Sequence, residues 1–296
     1  MMQQVEISSS YKEYIMSVRI IVDSTTDLTP ALKERLSIVP LTVHFGDEEF
    51  IDGVTIDHKA FYEKLIESDV LPTTSQAAPD AFGRVFEEIV AAGDTAVVLT
   101  ISSALSGTCQ SAVIAAADYP GRIFVVDSRS ASIGAGILAE LALRLVDSGL
   151  SAAEIAAKLE KEREKICVVA MLDTLEYLKK GGRISKTVAF AGSLLAIKPV
   201  VALKSGEIVL LGKARGSRQG NNLLVQEIGN AGGVDFSKPV LLGYTGLSNL
   251  LLQKYIEDSR DVWVHGTESL YTAPIGSVIG THAGPGAIAA AFFRQD

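Results

Sequence analysis

Short apolar runs alternate with amphipathic ones through the first half of the chain. Residues 18–22, 95–99 and 123–126 are such runs, each bounded by polar or turn-forming residues. Runs of this length predict buried strands. Between them the spacing shifts to the helical period. Thr29 followed by Pro30 predicts a helix over residues 29–36, and Asp57 opens a second. Residues 79–92 predict a third helix, closed by Gly93, residues 111–117 a fourth, and residues 130–146 a long fifth. Alternating strands and helices predict a mostly parallel sheet flanked by helices. Ser151 and Glu154 have the spacing of a capping box that starts one more helix.

Beyond that helix the pattern changes. Residues 166–171, 199–203, 207–211 and 239–244 read as strands, and Lys204-Ser205-Gly206 reads as a hairpin turn. A hairpin requires antiparallel pairing. The expected fold is therefore two α/β domains. The first, residues 17–169, has a mostly parallel sheet flanked by helices; the second, residues 170–296, has a mixed or antiparallel sheet with helices.

Hydrophobic residues make up 48% of the 296, enough for sizeable cores. A net charge of −8 argues against nucleic-acid or membrane-surface binding. The two cysteines, Cys109 and Cys167, form no disulfide framework or metal spacing, and both read as small buried residues. Residues 1–16 lack the basic start and apolar core of a signal peptide, and no apolar stretch approaches the ~20 residues that span a bilayer. These features predict a cytoplasmic protein with no integral membrane association, its first strand preceded by an extension.

Polar chemistry gathers where three predicted strands end: Asp23-Ser24-Thr25-Thr26-Asp27, Thr100-Ile101-Ser102-Ser103 and Asp127-Ser128-Arg129-Ser130. Ligands of parallel sheets bind beyond the strand carboxyl ends, and the helix after Ser103 adds amides that favour an anion. Each hydroxyl alone reads as a helix cap; the set reads as an oxyanion site. Two further loops are rich in hydroxyls or glycine: residues 72–76, and residues 280–287 with His282. From Lys179 to Arg218 nine basic residues face one acid, Glu207. That window carries +8, so the rest carries −16. It reads as a solvated face or as a docking surface for an acidic or phosphate-bearing partner. Residues 188–197, apolar nearly all round, read as core or as the lining of an apolar ligand site. No nucleophile elbow, phosphate loop or histidine pair with metal spacing occurs. Gly134-Ala135-Gly136 mimics a dinucleotide fingerprint but falls inside a predicted helix.

Six motifs occur in order: Val-Asp-Ser-Thr, Thr-Thr-Ser-Gln, Ser-Ser-x-Leu-Ser-Gly-Thr, Leu-Lys-Lys-Gly-Gly-Arg-Ile-Ser, Ile-Lys-Pro-Val and Thr-His-x-Gly-Pro-Gly-Ala. Over residues 18–293 the series resembles the DegV family of bacterial fatty-acid-binding proteins. The resemblance implies a long-chain fatty acid held between two α/β domains as ligand, with no catalytic residue, metal or other cofactor. It also implies a partner, an ATP-dependent fatty acid kinase subunit that turns the presented carboxylate into an acyl phosphate. Carried onto this chain, Thr74 matches the threonine that bonds the carboxylate, with Thr73 beside it. Ser102 or Ser103 matches the neighbouring serine, Ser103 being preferred. His282, with Thr281 before it, matches the histidine near the carboxylate. Arg183 and Arg215 match positions tied to kinase docking. Ala77 stands where proline is common, and Arg215-Gly216-Ser217-Arg218 is less basic than in some relatives. One alternative is an esterase or acyltransferase using Ser103 with His282; another is a regulatory protein whose basic window binds an acidic partner.

Overall fold

The computed structural model describes residues 17–184, 197–264 and 270–295. The first half runs β1 (Val18–Asp23), α1 (Pro30–Lys33), β2 (Ser37–Val39), β3 (Thr42–Phe45), β4 (Glu48–Ile51) and α2 (His58–Glu67). It continues with β5 (Thr73–Ser75), α3 (Pro79–Ala91), β6 (Thr95–Thr100), α4 (Thr108–Ala116), β7 (Ile123–Asp127), α5 (Ile133–Asp147) and α6 (Ala152–Glu162). The second half holds β8 (Ile166–Met171), α7 (Glu176–Lys180), β9 (Ile197–Lys204), β10 (Glu207–Arg215), α8 (Gly216–Asn230) and β11 (Leu241–Tyr244). It closes with α9 (Leu250–Asp258), α10 (Arg260–Trp263), β12 (Tyr271–Pro274), α11 (Ser277–Ala283) and β13 (Ile288–Phe293).

Strands β2-β1-β6-β7 pair in parallel, as the alternating pattern predicts. A six-stranded sheet, β10-β9-β8-β13-β11-β12, carries the second half. It is antiparallel except where β11 and β12 run parallel. The architecture is thus two α/β halves. The six-stranded sheet starts at Ile166, so the expected boundary at residue 170 falls inside β8. The predicted hairpin is present: Ser205 and Gly206 both have positive φ, 51° and 86°, as a two-residue turn with the twist of its strands requires. The Ser151–Glu154 capping box is present too.

A third sheet was not anticipated. Strands β4-β3-β5 form a small antiparallel sheet, so residues 73–75, expected as loop, are a strand. Its strands have only three or four residues each, too short for periodicity to register. Helix α1 is also shorter than its pattern suggests, and α5 starts at Ile133 because Arg129 and Ser132 take positive φ, 48° and 55°. Residues 280–287, expected as loop, hold the end of α11, which stops at Gly284 with φ 71°. A side chain at Gly284 would collide with the Tyr177 ring. The apolar stretch 188–197 lies outside the described residues but for Ile197, the start of β9.

Helix α5 lies between the two large sheets. One core cluster draws Ile20, Val22 and Val97 from the first sheet, Ile133 and Ile137 from α5, and Val168, Leu241 and Phe293 from the second. The fingerprint-like glycines belong to this packing. A Cβ at Gly136 would stand 2.1 Å from the Asp27 carbonyl oxygen, and one at Gly134 2.4 Å from a Val168 methyl. They let the helix approach the loop after β1 on one side and the second sheet on the other.

Candidate functional site

A cavity of about 430 Å³ opens between the halves. Ala170, Val201, Leu203 and Ile208 line it from the second sheet, and Ile101, Leu105 and Ile133 from the first half. Its further polar lining comes from Thr74, Ser75, Gln76, Ser106, Arg183 and His282, whose hydrogen-bond partners among the described residues are one another, hydroxyls, an imidazole or carbonyls, never a carboxylate. Two more hydroxyls in its wall are taken: Ser132 donates to Asp27, and Thr245 Oγ1 accepts from the Ala287 amide.

Strand register decides which threonine reaches the cavity. Thr74 pairs with Val43 across β5 and β3 and faces inward. Thr73 points the opposite way and is exposed, as strand alternation demands. Thr74 Oγ1 lies 2.9 Å from His282 Nε2. These two expected residues, 208 positions apart, are brought together.

His282 reaches this position through its helix. Asp27 Oδ1 accepts from the Gly276 amide at 2.8 Å, and Asp52 is hydrogen-bonded to Ser277. Both carboxylates come from the first half and hold the amino end of α11, where free amides favour negative charge. Burial pushes Asp27 up to about 7 and Asp52 above the usual carboxylate range. At the other end of α11, Gly181 leaves space for the imidazole: a Cβ there would meet His282 Nδ1 at 2.2 Å. That Nδ1 is buried and has no hydrogen-bond partner. Burial, and then the Arg183 charge, press His282 down to about 4, so the ring is neutral at pH 7. Arg183 folds back through Nη1 to the Gly181 carbonyl at 2.7 Å and Nε to the Leu105 carbonyl at 3.3 Å. Expected at a partner surface, Arg183 lines the cavity instead, as its one cationic side chain among the described residues.

The strand-end hydroxyls are placed differently from expectation. Ser103 is exposed, donates to Asp127 Oδ2 at 2.6 Å, and does not line the cavity. Ser102 is buried and donates to the Gly206 carbonyl at 2.8 Å, pinning the β9–β10 hairpin to the first half. A side chain at Gly206 would displace it. Thr281 is buried and donates back to the Ser277 carbonyl within α11. Asp23 accepts from the Thr25 amide and hydroxyl and from the Ile101 amide. The rim expected to hold an external anion is filled by the chain's own carboxylates. The Ser103–His282 pair that an esterase requires is not formed, since His282 Nε2 bonds Thr74.

Ser106 and Gly107, at the start of α4, line the cavity in place of Ser103. Ser106 belongs to the same hydroxyl cluster, three residues on, and only the turn geometry selects it. Gln76 packs its amide against Gly107 and donates to Ser111 Oγ at 3.1 Å. Any side chain at 107 would displace that amide. Arg215 closes β10 on the exposed surface, opposite Ile197. Among the described residues no helix is long and apolar enough to cross a membrane, and no cluster of metal-ligating side chains occurs.

The two-part fold has counterparts among known proteins. A relative from Caldanaerobacter subterraneus subsp. tengcongensis, a DegV domain-containing protein, is 33% identical over 288 residues, covering 94% of this chain and 99% of its own. A DegV family protein from Thermus thermophilus, solved for its fatty acid binding, superposes with a TM-score of 0.83 at 32% identity, over 95% of this chain and 100% of that one. The Streptococcus pneumoniae Fatty Acid Kinase (Fak) B3 protein, loaded with linoleic acid, also gives 0.83, at 26% identity and the same coverage. The family described as "Uncharacterised protein, DegV family" matches residues 17–295. With a match over nearly its whole length, this chain belongs to the DegV family.

Proposed function

We propose that the protein binds a long-chain fatty acid in the cavity between its halves, with the carboxylate at Thr74 and His282. The observation that carries this reading is the division of the cavity wall. Its polar groups not bonded to a carboxylate come from Thr74 to Gln76, the start of α4, Arg183 and His282, and most of the remainder is aliphatic. A volume of about 430 Å³ suits a single small ligand. Each buried methylene contributes ~0.8 kcal/mol, so a long tail supplies most of the affinity. A buried carboxylate needs strong hydrogen bonds to offset lost hydration. Thr74 supplies a hydroxyl, and Arg183 supplies a compensating charge close by. The fatty acids carried by the Thermus and Streptococcus proteins support the same ligand class.

The protein acts as a carrier. The finer reading is that it presents the carboxylate to an ATP-dependent kinase, with exposed Arg215 in the docking surface. The Streptococcus protein supports this by its name.

Mass spectrometry of the purified protein, native and then after organic extraction, tests the binding role. One fatty acid per chain is the expected result. A protein that is empty and takes up no added fatty acid defeats it. For the kinase step, Arg215→Glu should keep its lipid and lose acyl-phosphate formation with an added fatty acid kinase; unchanged turnover removes Arg215 from the interface.

A further inference from the structure

A second cleft, of about 370 Å³, lies where the hairpin end of the six-stranded sheet meets the first half. It shares Val168, Ala202 and Leu203 with the first cavity. Val168 and its partner Leu203 stand four positions from Leu172, just past the end of β8, which is about 13 Å along the strand. The cleft's chemistry is opposite to that of the first cavity. Arg129, Arg163, Lys204 and Arg294 line it, against Glu164 and Glu227, in a protein of net charge −8.

The charges are not fully matched inside the protein. Arg129 pairs with Glu164 at 2.8 Å. Glu227 accepts from Asn230 Nδ2 at 3.3 Å. Lys204 and Arg294 make no ion pair among the described residues, and both are exposed. Their positive field reaches the Cys167 thiol in the same cleft, where it opposes the upward push of burial.

Two buried polar atoms of the lining are also unsatisfied. Ser130 is 1% exposed, and its Oγ, which lies against Gly134 of α5, has no hydrogen-bond partner. Arg163 is ion-paired to Glu164 at 3.5 Å and donates through Nη1 to the Asp127 carbonyl at 2.7 Å, but its buried Nε makes no hydrogen bond. Buried donors without partners are rare and cost free energy unless something outside the chain meets them. Immediately before Ser130, Arg129 holds a φ of 48°, a backbone state that non-glycine residues seldom adopt. Nothing in the first cavity uses these groups.

From these groups we infer that the second cleft is a binding site for a phosphoryl group, as free phosphate or as a small phosphate monoester. A tetrahedral dianion matches donors arriving from several directions, and the guanidinium fork suits its oxygens. The site has room for more than the bare ion. It draws on residues from both halves, so an occupant ties the hairpin end of the sheet to the loop after β7.

Calorimetric titration of the full-length protein, with any co-purified lipid in place, tests this with inorganic phosphate and glucose 6-phosphate against chloride of equal ionic strength. Saturable binding of either phosphate upholds the site. Equal affinities identify the free ion as sufficient, and tighter binding of the monoester identifies a phosphorylated metabolite. In the doubly substituted Lys204→Gln/Arg294→Gln protein, binding should weaken about tenfold or more. Ser130→Ala should also weaken binding without lowering the melting temperature, whereas a purely structural hydroxyl would alter stability and leave binding intact. No heat beyond the chloride control, or an unchanged dissociation constant in the double variant, overturns the inference.

Discussion

Two regions of this protein look alike in sequence and differ in what they can bind. The rim at the strand ends of the parallel sheet, with Ser24, Thr25, Ser102 and Ser103, is the denser hydroxyl cluster. The segment from Thr73 to Gln76 is sparser. In the structure the rim is closed to ligands because Asp23 and Asp127 accept its hydroxyls and amides. Thr74 has no carboxylate beside it; its partner is the neutral imidazole of His282. A hydroxyl becomes available to a foreign carboxylate only where the chain has not supplied its own. The number of hydroxyls is a poor guide; the location of the nearest aspartate is a better one.

Substitutions on the two sides should separate stability from binding. The largest effect belongs to the rim. Asp23→Ala strands the Ile101 amide and the Thr25 amide and hydroxyl in a buried site, which should cost on the order of 3 kcal/mol of folding stability. Urea denaturation measures that loss, and the folded fraction should retain its fatty-acid affinity. Thr74→Ala is the converse. It should weaken fatty-acid binding about 10- to 100-fold, the worth of a hydrogen bond to a charged group, with little change in urea midpoint. A displacement titration with a fluorescent fatty acid reads it. If Asp23→Ala impaired binding in the folded protein, or Thr74→Ala left it intact, the contrast between the regions would fail.

A pH-dependent effect comes next. Asp27 is raised from 3.8 to about 7 in the folded protein, so it binds a proton on folding between those values. Its contribution is fully present below pH 3.8 and is lost as pH rises through 7. His282 runs the other way, lowered from 6.5 to about 4, and its contribution is lost as pH falls through that window. Asp27→Asn keeps an acceptor for Gly276 and removes the titration. Urea midpoints at pH 5 and pH 8 should show the variant gaining on the wild type as pH rises. A constant difference would mean that Asp27 does not titrate in that range. The smallest effect is that of Ser103→Ala. Losing an exposed bond to Asp127 should cost at most ~1 kcal/mol and leave fatty-acid affinity within about twofold. A larger loss of affinity would return Ser103 to the site.

The helix–strand alternation, the capping box at Ser151 and the hairpin at Ser205-Gly206 were legible because each rests on contacts within a few residues. The three-residue strand at Thr73–Ser75 was not, because its partner Thr42–Phe45 lies some thirty positions away and neither strand is long enough to show a period. His282 was legible as a candidate that lines the cavity but not as part of a helix. Its glycine-rich surroundings suggested a loop, while the helix is held by Asp27 and Asp52 from the other half. Arg183 was legible as a charge, and its place in the cavity depends on the Leu105 and Gly181 carbonyls.

The two-part α/β plan and the family could be read from sequence alone, and so could Thr74 and His282 as candidates that turn out to line one cavity, because periodicity and motif order are properties of one dimension. Only the folded arrangement sets which hydroxyls are bound by the chain's own carboxylates and which are not. That outcome depends on whether an aspartate, a carbonyl or open space stands within 3 Å of each oxygen. Such distances are set by the packing of α5 between the large sheets and of α11 against α2, α7 and the small sheet, where residues more than 200 positions apart, such as Thr74 and His282, become neighbours.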